Sequence, residues 1–389
     1  MFEQSKINFN HVFVFGVFFR IIIYTYLIFF PFVHSEQGSF GSWIFQNADF
    51  YDYLFVKKLI LFNNDPFVER CYVDIPDGSL CMLEPATTFF NNYIDIYNLI
   101  FNVNYDHKIT AIVGPSFPII LIFTNYNENF PYLLSFLCIF VEIYSLKIWG
   151  KYIFKKTNWI YSFLFSLFPL PLMFGYIHSS DIFFYFFSTL IIHFKFNKLQ
   201  ERKYFYSLLI LLFITSMIRP AGIIILISVL IYLLLKKSII NRKLILYYII
   251  FIILISFVYY LPYFINESLK VTQNTHPDLD RLFIYLDNLN LNQYVNNSLI
   301  ILVKFLLIFG YDSSQSGSSI IQIIKFLVAT PLLIGFILTI KEFSSLKTIY
   351  AIITVVFIFI FAYPTYRYIL PIVPILLLNL SLFSFKYIK

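Results

Sequence analysis

Two carboxylates open the chemical reading of this chain. Asp49 and Asp52 stand three residues apart in NADFYDYL, so a helix there would carry both on one face. A carboxylate within hydrogen-bonding distance of a hydroxyl can take its proton as a general base. A third acid, Asp181, follows His178, Ser179 and Ser180 in GYIHSSDIFF, at the start of an apolar run. The dipole of a helix beginning there would favour it, so Asp181 could equally be a capping residue. Arg219 in MIRPAG and Arg367 in YPTYR have prolines close by. A planar guanidinium binds phosphate through two parallel hydrogen bonds, so both suit an anion. Lys304 and Lys325 are two more cations in apolar surroundings. Taken one at a time, these are loop acids and snorkelling basic ends.

The elements that must position them are apolar. Of 389 residues, 59% are hydrophobic and 13% charged, and mean hydropathy is +0.77. A soluble domain has about 45–50% apolar and about 25% charged residues. That excludes a soluble globular chain, a disordered one and a collagen. The apolar residues come in runs near the length of about 20 that crosses a bilayer. The expected fold is all-α, a polytopic helix bundle of about ten spans forming one transmembrane domain over residues 1–389. Neither GxGxxG nor GxxxxGK[ST] occurs, so no nucleotide fingerprint is present. Fifty Phe and 31 Tyr accompany abundant Ile, Asn and Lys, a bias an AT-rich genome would encode, so the aromatics do not mark a sugar platform. The net charge of +7 reflects positive-inside bias rather than nucleic acid.

Spans fall near 11–33, 131–148, 158–176, 181–197, 204–218, 221–235, 244–265, 320–340, 348–363 and 368–385. Lys and Arg concentrate at 147–156, 195–203, 236–243, 341–347 and the tail, which read as cytoplasmic. Ten spans then alternate with both termini inside, as expected of a multi-pass protein of the cell (inner or plasma) membrane, with the first span retained as an anchor. The runs 111–124 and 298–309 read as re-entrant or interfacial helices. Residues 34–110 form a large first external loop with 10 of the 21 acidic residues but four Lys or Arg, and 266–297 a second. No inverted repeat is visible, which weakens a transporter reading. Asp49, Asp181, Arg219 and Arg367 all fall at the outer ends of spans. A charge near hydrocarbon costs up to about 2.5–3.5 kcal/mol at full depth. Four from separate segments on one face point to a site.

These segments form a pattern. The tail FAYPTYRYILPIVPILLL resembles the closing RYxLPxxP segment of glycosyltransferase family 39, C-type (GT-C) membrane enzymes related to protein mannosyltransferases and aminoarabinose transferases. MIRPAGIIIL resembles their mid-chain RP-G segment, and GYIHSSDIFFYFF their acid at a helix start, usually Glu and here Asp181. GPSFPIIL resembles the proline pair before their second span. NADFYDYL resembles their first-loop aspartate with an aromatic, here Tyr53, in the next helical turn. The resemblance implies a helix bundle whose first external loop carries the catalytic acid. It implies a polyprenyl-phosphate sugar donor, Asp49 as base and Asp181 as a second acid placing the acceptor. Arg367, and after it Arg219, would hold the donor phosphate at the interface, within reach of Lys304 and Lys325. Asp52, Tyr53 and His178 would support the site. The long first loop, the lack of a clear paired-acid form and of a C-terminal soluble domain depart from the pattern and leave the acceptor (lipid, glycan or protein) open. No cofactor is firmly implied, and a divalent metal is compatible with the site.

Two rivals stay open. An O-antigen ligase or polymerase has a similar span count, but its long external loop should come late in the chain. A lipid flippase or transporter would need more polar residues through the bundle centre. Cys71 and Cys81 enclose CYVDIPDGSLC, whose PDG turn could bring the ends together for a bridge in an oxidising compartment. Cys138 reads as core. Finally, Arg20 lies roughly 12 Å from the inner end of the first span and Glu142 roughly 9 Å from that of the second, at about 1.5 Å per residue. Buried charges in membranes pair, so these two are expected to form an ion pair.

Overall fold

The structure, a computed structural model, describes residues 8–29, 57, 61, 71–72, 80–81, 116–125, 132–176, 179–219, 221–236, 242–256, 293–309, 319–340, 345–361 and 366–387. Helices account for nearly all of them. In chain order these are α1 (Phe9–Phe29), α2 (Ser116–Phe123), α3 (Tyr132–Lys156), α4 (Trp159–Ser166), α5 (Pro169–Tyr176), α6 (Ser180–Ile192) and α7 (Arg202–Ile218). Then come α8 (Gly222–Leu235), α9 (Arg242–Ile255), α10 (Gln293–Ile308), α11 (Ser319–Thr339), α12 (Leu346–Phe361), a 3₁₀ segment Tyr366–Ile372 and α13 (Val373–Tyr387). The all-α expectation needs one small amendment. β1 (Cys71–Tyr72) and β2 (Leu80–Cys81) pair antiparallel in the first loop, with Cys71 opposite Cys81.

Among the described residues, two segments are long and apolar enough to cross a membrane, Leu133–Lys156 and Tyr368–Tyr387, and six shorter apolar helices accompany them. On α3 the large side chains Leu133, Phe136, Phe140 and Tyr144 recur every three or four residues and face outward. The opposite stripe of α3, with Leu134, Cys138, Val141 and Trp149, is buried. The same division recurs on α7, where Tyr206, Ile210 and Phe213 are exposed and Phe205, Leu208 and Leu212 buried. Apolar surface of this extent on a helical bundle requires a non-aqueous surrounding or a partner.

The run 158–176 is not one helix. Asn158 caps α4, its side-chain oxygen accepting from the Ile160 and Tyr161 N–H groups. The helix stops at Leu167, and Pro169 opens α5. Proline suits a first helical position, where no N–H partner is needed, and it cannot extend the preceding helix. The apolar run 298–309 is likewise the later part of a helix that starts at Gln293.

Within the bundle α3 packs on α4, α5 and α6, α6 on α7, and α8 on α12. The most extensive pairing joins α11 to α13. Gly335 makes it possible, since a Cβ there would overlap the backbone of Leu376. Asn379 donates across this seam to Thr339 Oγ1 at 2.7 Å.

Between α1 and α3 lies a buried charge pair. The Arg20 Nε and Nη2 groups donate to the two Glu142 carboxylate oxygens at 2.7 and 2.8 Å. Arg20 Nη1 donates to the carbonyls of Ser166 (2.5 Å) and Gly16 (3.2 Å). Both side chains are 1% exposed. The ion pair expected from matched depths is present, and both Nη1 protons are taken by backbone carbonyls. That satisfaction is what makes a buried pair tolerable.

Candidate active site

Three chain segments converge at one end of α6. The first is the N-terminus of α6 itself. Ser179 occupies the N-cap with extended backbone, φ −138° and ψ 157°, but its hydroxyl makes no capping hydrogen bond. Asp181 follows in the first turn and is 4% exposed. The second is the C-terminus of α7. Arg219 leaves the helix in extended conformation, φ −147° and ψ 148°. The cause is local: a residue before proline is pushed out of the α region by the ring, and Pro220 follows. The chain then reverses tightly, with Gly222 N–H donating to the Arg219 carbonyl at 2.9 Å. A Cβ at Gly222 would overlap the Ser216 backbone, so the glycine of RPAG is set by close approach. The third segment is the 3₁₀ helix Tyr366–Ile372, which packs on α6, α10 and α12.

The geometry joins two residues that the sequence placed on one face. Arg219 Nη1 contacts Asp181 Oδ1 in an ion pair, with side chains only 8% and 5% exposed. The guanidinium also lies over the Tyr368 ring, 5.2 Å from its centroid. Around the pair, Asp181 Oδ2 and Ser179 Oγ are buried and have no hydrogen-bond partner among the described residues. Buried carboxylate and hydroxyl oxygens without partners are uncommon and unfavourable. They leave acceptor and donor capacity beside a guanidinium, the groups a hydroxyl-bearing or phosphate-bearing ligand could satisfy.

Lys304 on α10 lies with its ammonium 5.4 Å from the Phe359 ring centroid on α12. Arg367 belongs to the 3₁₀ segment and Lys325 to α11; both side chains lie outside the described part of the structure. Asp49, Asp52, Tyr53 and His178 lie outside the described residues altogether. The structure therefore brings Asp181, Arg219 and the segment holding Arg367 together, and puts Lys304 on a helix that packs on that segment. Ser179 and Tyr368 were not singled out by sequence reasoning. Tyr368 could have been, because it follows Arg367 at the foot of an apolar run. Among the described residues no group of three or more His, Cys, Asp or Glu could hold a metal ion.

Comparison of the chain with protein-family models, with curated proteins and with solved structures finds no match in any of the three. What the chain itself supplies is a helical bundle with a buried acid–guanidinium pair where α6 begins and α7 ends.

Proposed function

We propose that the protein is a membrane glycosyltransferase of the GT-C type, moving a sugar from a polyprenyl-phosphate donor to an acceptor hydroxyl. In this reading ten spans cross the membrane, both termini are cytoplasmic, and the site lies at the external face. The observation that carries it is the junction of Asp181, Arg219 and the 3₁₀ segment Tyr366–Ile372, which holds the RYxLP part of the closing motif. These come from three of the segments whose order resembles family 39, and they pack together at one end of α6. The outward-facing apolar stripes on α3 and α7 support the membrane setting.

The chemistry is a single inverting displacement. Asp49 takes the proton of the acceptor hydroxyl. The oxygen attacks the anomeric carbon from the face opposite the phosphate. The bond from that carbon to the phosphate oxygen breaks, and polyprenyl phosphate leaves with the electron pair. Its charge is held by Arg367 together with Arg219. Fixed cations aimed at a leaving anion stabilise the transition state more than any other group such a site can offer. Asp181 has two tasks: it orients Arg219 through Oδ1 and offers Oδ2 to an acceptor hydroxyl. A lipid-linked donor needs no nucleotide pocket, in keeping with the missing glycine-rich fingerprints. The test is to give the purified protein in liposomes a panel of radiolabelled polyprenyl-phosphate sugars. Release of unglycosylated polyprenyl phosphate with label in a second product is the expected result. Passage of intact donor across the bilayer without cleavage would make it a flippase.

A further inference from the structure

The other end of α6 holds a different group of residues. His193 caps that end of the 13-residue helix, whose first turn holds Asp181. Asp181 and His193 are therefore about 18 Å apart along the axis at about 1.5 Å per residue. Around His193 stand Trp149 and Tyr152 of α3 and Lys347 from the first turn of α12. The imidazole packs edge-to-face on Trp149 at 4.4 Å and on Tyr152 at 5.3 Å between ring centroids. Thr189 ties the group together. Its hydroxyl accepts from Trp149 Nε1–H at 3.0 Å, and its carbonyl lies 3.1 Å from His193 Nδ1. A carbonyl can only accept, so Nδ1 carries the proton. His193 Nε2 is then left buried without a partner among the described residues.

The Lys347 ammonium sits 3.2 Å from the Tyr152 ring centroid and 5.6 Å from that of Trp149. No described carboxylate lies within ion-pair distance of it. The charge that acts on it is another cation, Lys156, at the end of α3. Lys347 lies in the first turn of α12 and is half-buried. The aromatic faces alone offset little of that burial, since a cation over a ring gains about 0.5–2 kcal/mol. Lys347 and a bare imidazole nitrogen thus stand against the same two aromatic rings, within the electrostatic reach of Lys156, with no described acid paired to Lys347. This end of the bundle also carries Lys151, Lys155, Lys195, Lys198, Arg202 and Lys203. Such clusters beside a membrane attract anionic headgroups.

We propose that Lys347, Lys156 and His193 form a seat for the phosphate of an anionic membrane lipid at the basic end of the bundle. The phosphodiester oxygens accept from the Lys347 and Lys156 ammonium groups. His193 donates from Nε2 once the anion favours its protonated ring. Half-buried Tyr152 flanks the headgroup, and buried Trp149 lies beneath it against the His193 ring, close enough to report on the seat. The lipid binds the bundle on the side opposite the Asp181–Arg219 junction, and the inference needs the membrane setting but not sugar transfer.

The experiment reads Trp149. In a Trp43→Phe/Trp159→Phe background it is the sole tryptophan of the three in the chain. The protein is placed in nanodiscs of phosphatidylcholine with increasing phosphatidylglycerol, and emission is recorded. A saturable shift with phosphatidylglycerol is expected, weakened about tenfold or more in Lys347→Gln by loss of a charged hydrogen bond and restored in Lys347→Arg. A parallel titration of inorganic phosphate into pure phosphatidylcholine discs should give no comparable shift. Saturation by inorganic phosphate with indifference to phosphatidylglycerol would overturn the lipid assignment. A phosphatidylglycerol response unchanged in Lys347→Gln would overturn the site, as would no response to either probe. Sugar transfer is not read, so failure of the glycosyltransferase reading leaves this result standing.

Discussion

Arg20 and Glu142, 122 positions apart in the chain, are joined by two hydrogen bonds and are both almost completely buried. The pair fixes α1 against α3, and Gly175 on α5 closes over it. A Cβ at Gly175 would overlap the Tyr24 hydroxyl and stand 2.8 Å from Glu142 Cγ. Removing one partner of such a pair leaves a buried charge and costs about 3–5 kcal/mol, whereas replacing both with apolar side chains is often neutral. Glu142→Ala should therefore lower the thermal unfolding midpoint in detergent far more than the double change Arg20→Met/Glu142→Met. Equal losses in the two variants would mean that the charges do not depend on each other.

Asp181 and Arg219 form the second buried pair, and here position and chemistry both matter. Arg219→Lys keeps a cation for Asp181 but loses the planar fork. Thermal stability should stay close to wild type, while the donor KM rises about tenfold, the equivalent of one charged hydrogen bond of roughly 1.5 kcal/mol. A large fall in stability with no change in KM would make Arg219 a structural anchor for the α7–α8 turn.

Much of this architecture can be read from the amino acids, and particular residues show why the rest cannot. The ends of α7, α8 and α12 fall within a few residues of apolar runs bounded by Lys or Arg on one side and proline on the other. Pro169 had to interrupt the run 158–176, yet hydropathy alone runs straight through it. The Arg20–Glu142 pair follows from depth arithmetic, because an uncompensated charge inside an apolar run needs a partner at its own level. The Asp181–Arg219 contact is only half legible. Both residues map to one end of the bundle, but their separate apparent tasks, acid and anion holder, hide that they touch. The seat of Lys347 is not legible at all. It depends on which way α3, α6 and α12 turn their aromatic faces, and a strongly apolar sequence offers no polar stripe from which to infer that rotation.

Cys71 and Cys81 face each other across the β1–β2 pair. Antiparallel partners have Cα atoms about 4.5–5.5 Å apart, inside the range of about 4.4–6.8 Å that a disulfide spans. The expected outcome is that neither cysteine reacts with a thiol reagent until the protein is reduced, while buried Cys138 reacts only after unfolding. Labelling of both loop cysteines in the folded, unreduced protein would show two free thiols.

The proposed reaction stands or falls with Asp49 as its base. The most direct measurement compares wild type with Asp49→Asn, both in liposomes, by following radiolabelled sugar out of a polyprenyl-phosphate donor. A positioned general base contributes about 100- to 10,000-fold. The wild type should consume the donor and release polyprenyl phosphate. Asp49→Asn should keep the wild-type unfolding midpoint and lose turnover by at least the lower of those factors. Turnover of Asp49→Asn at the wild-type rate, or a folded wild type that leaves every polyprenyl-phosphate sugar intact, would contradict the proposed reaction.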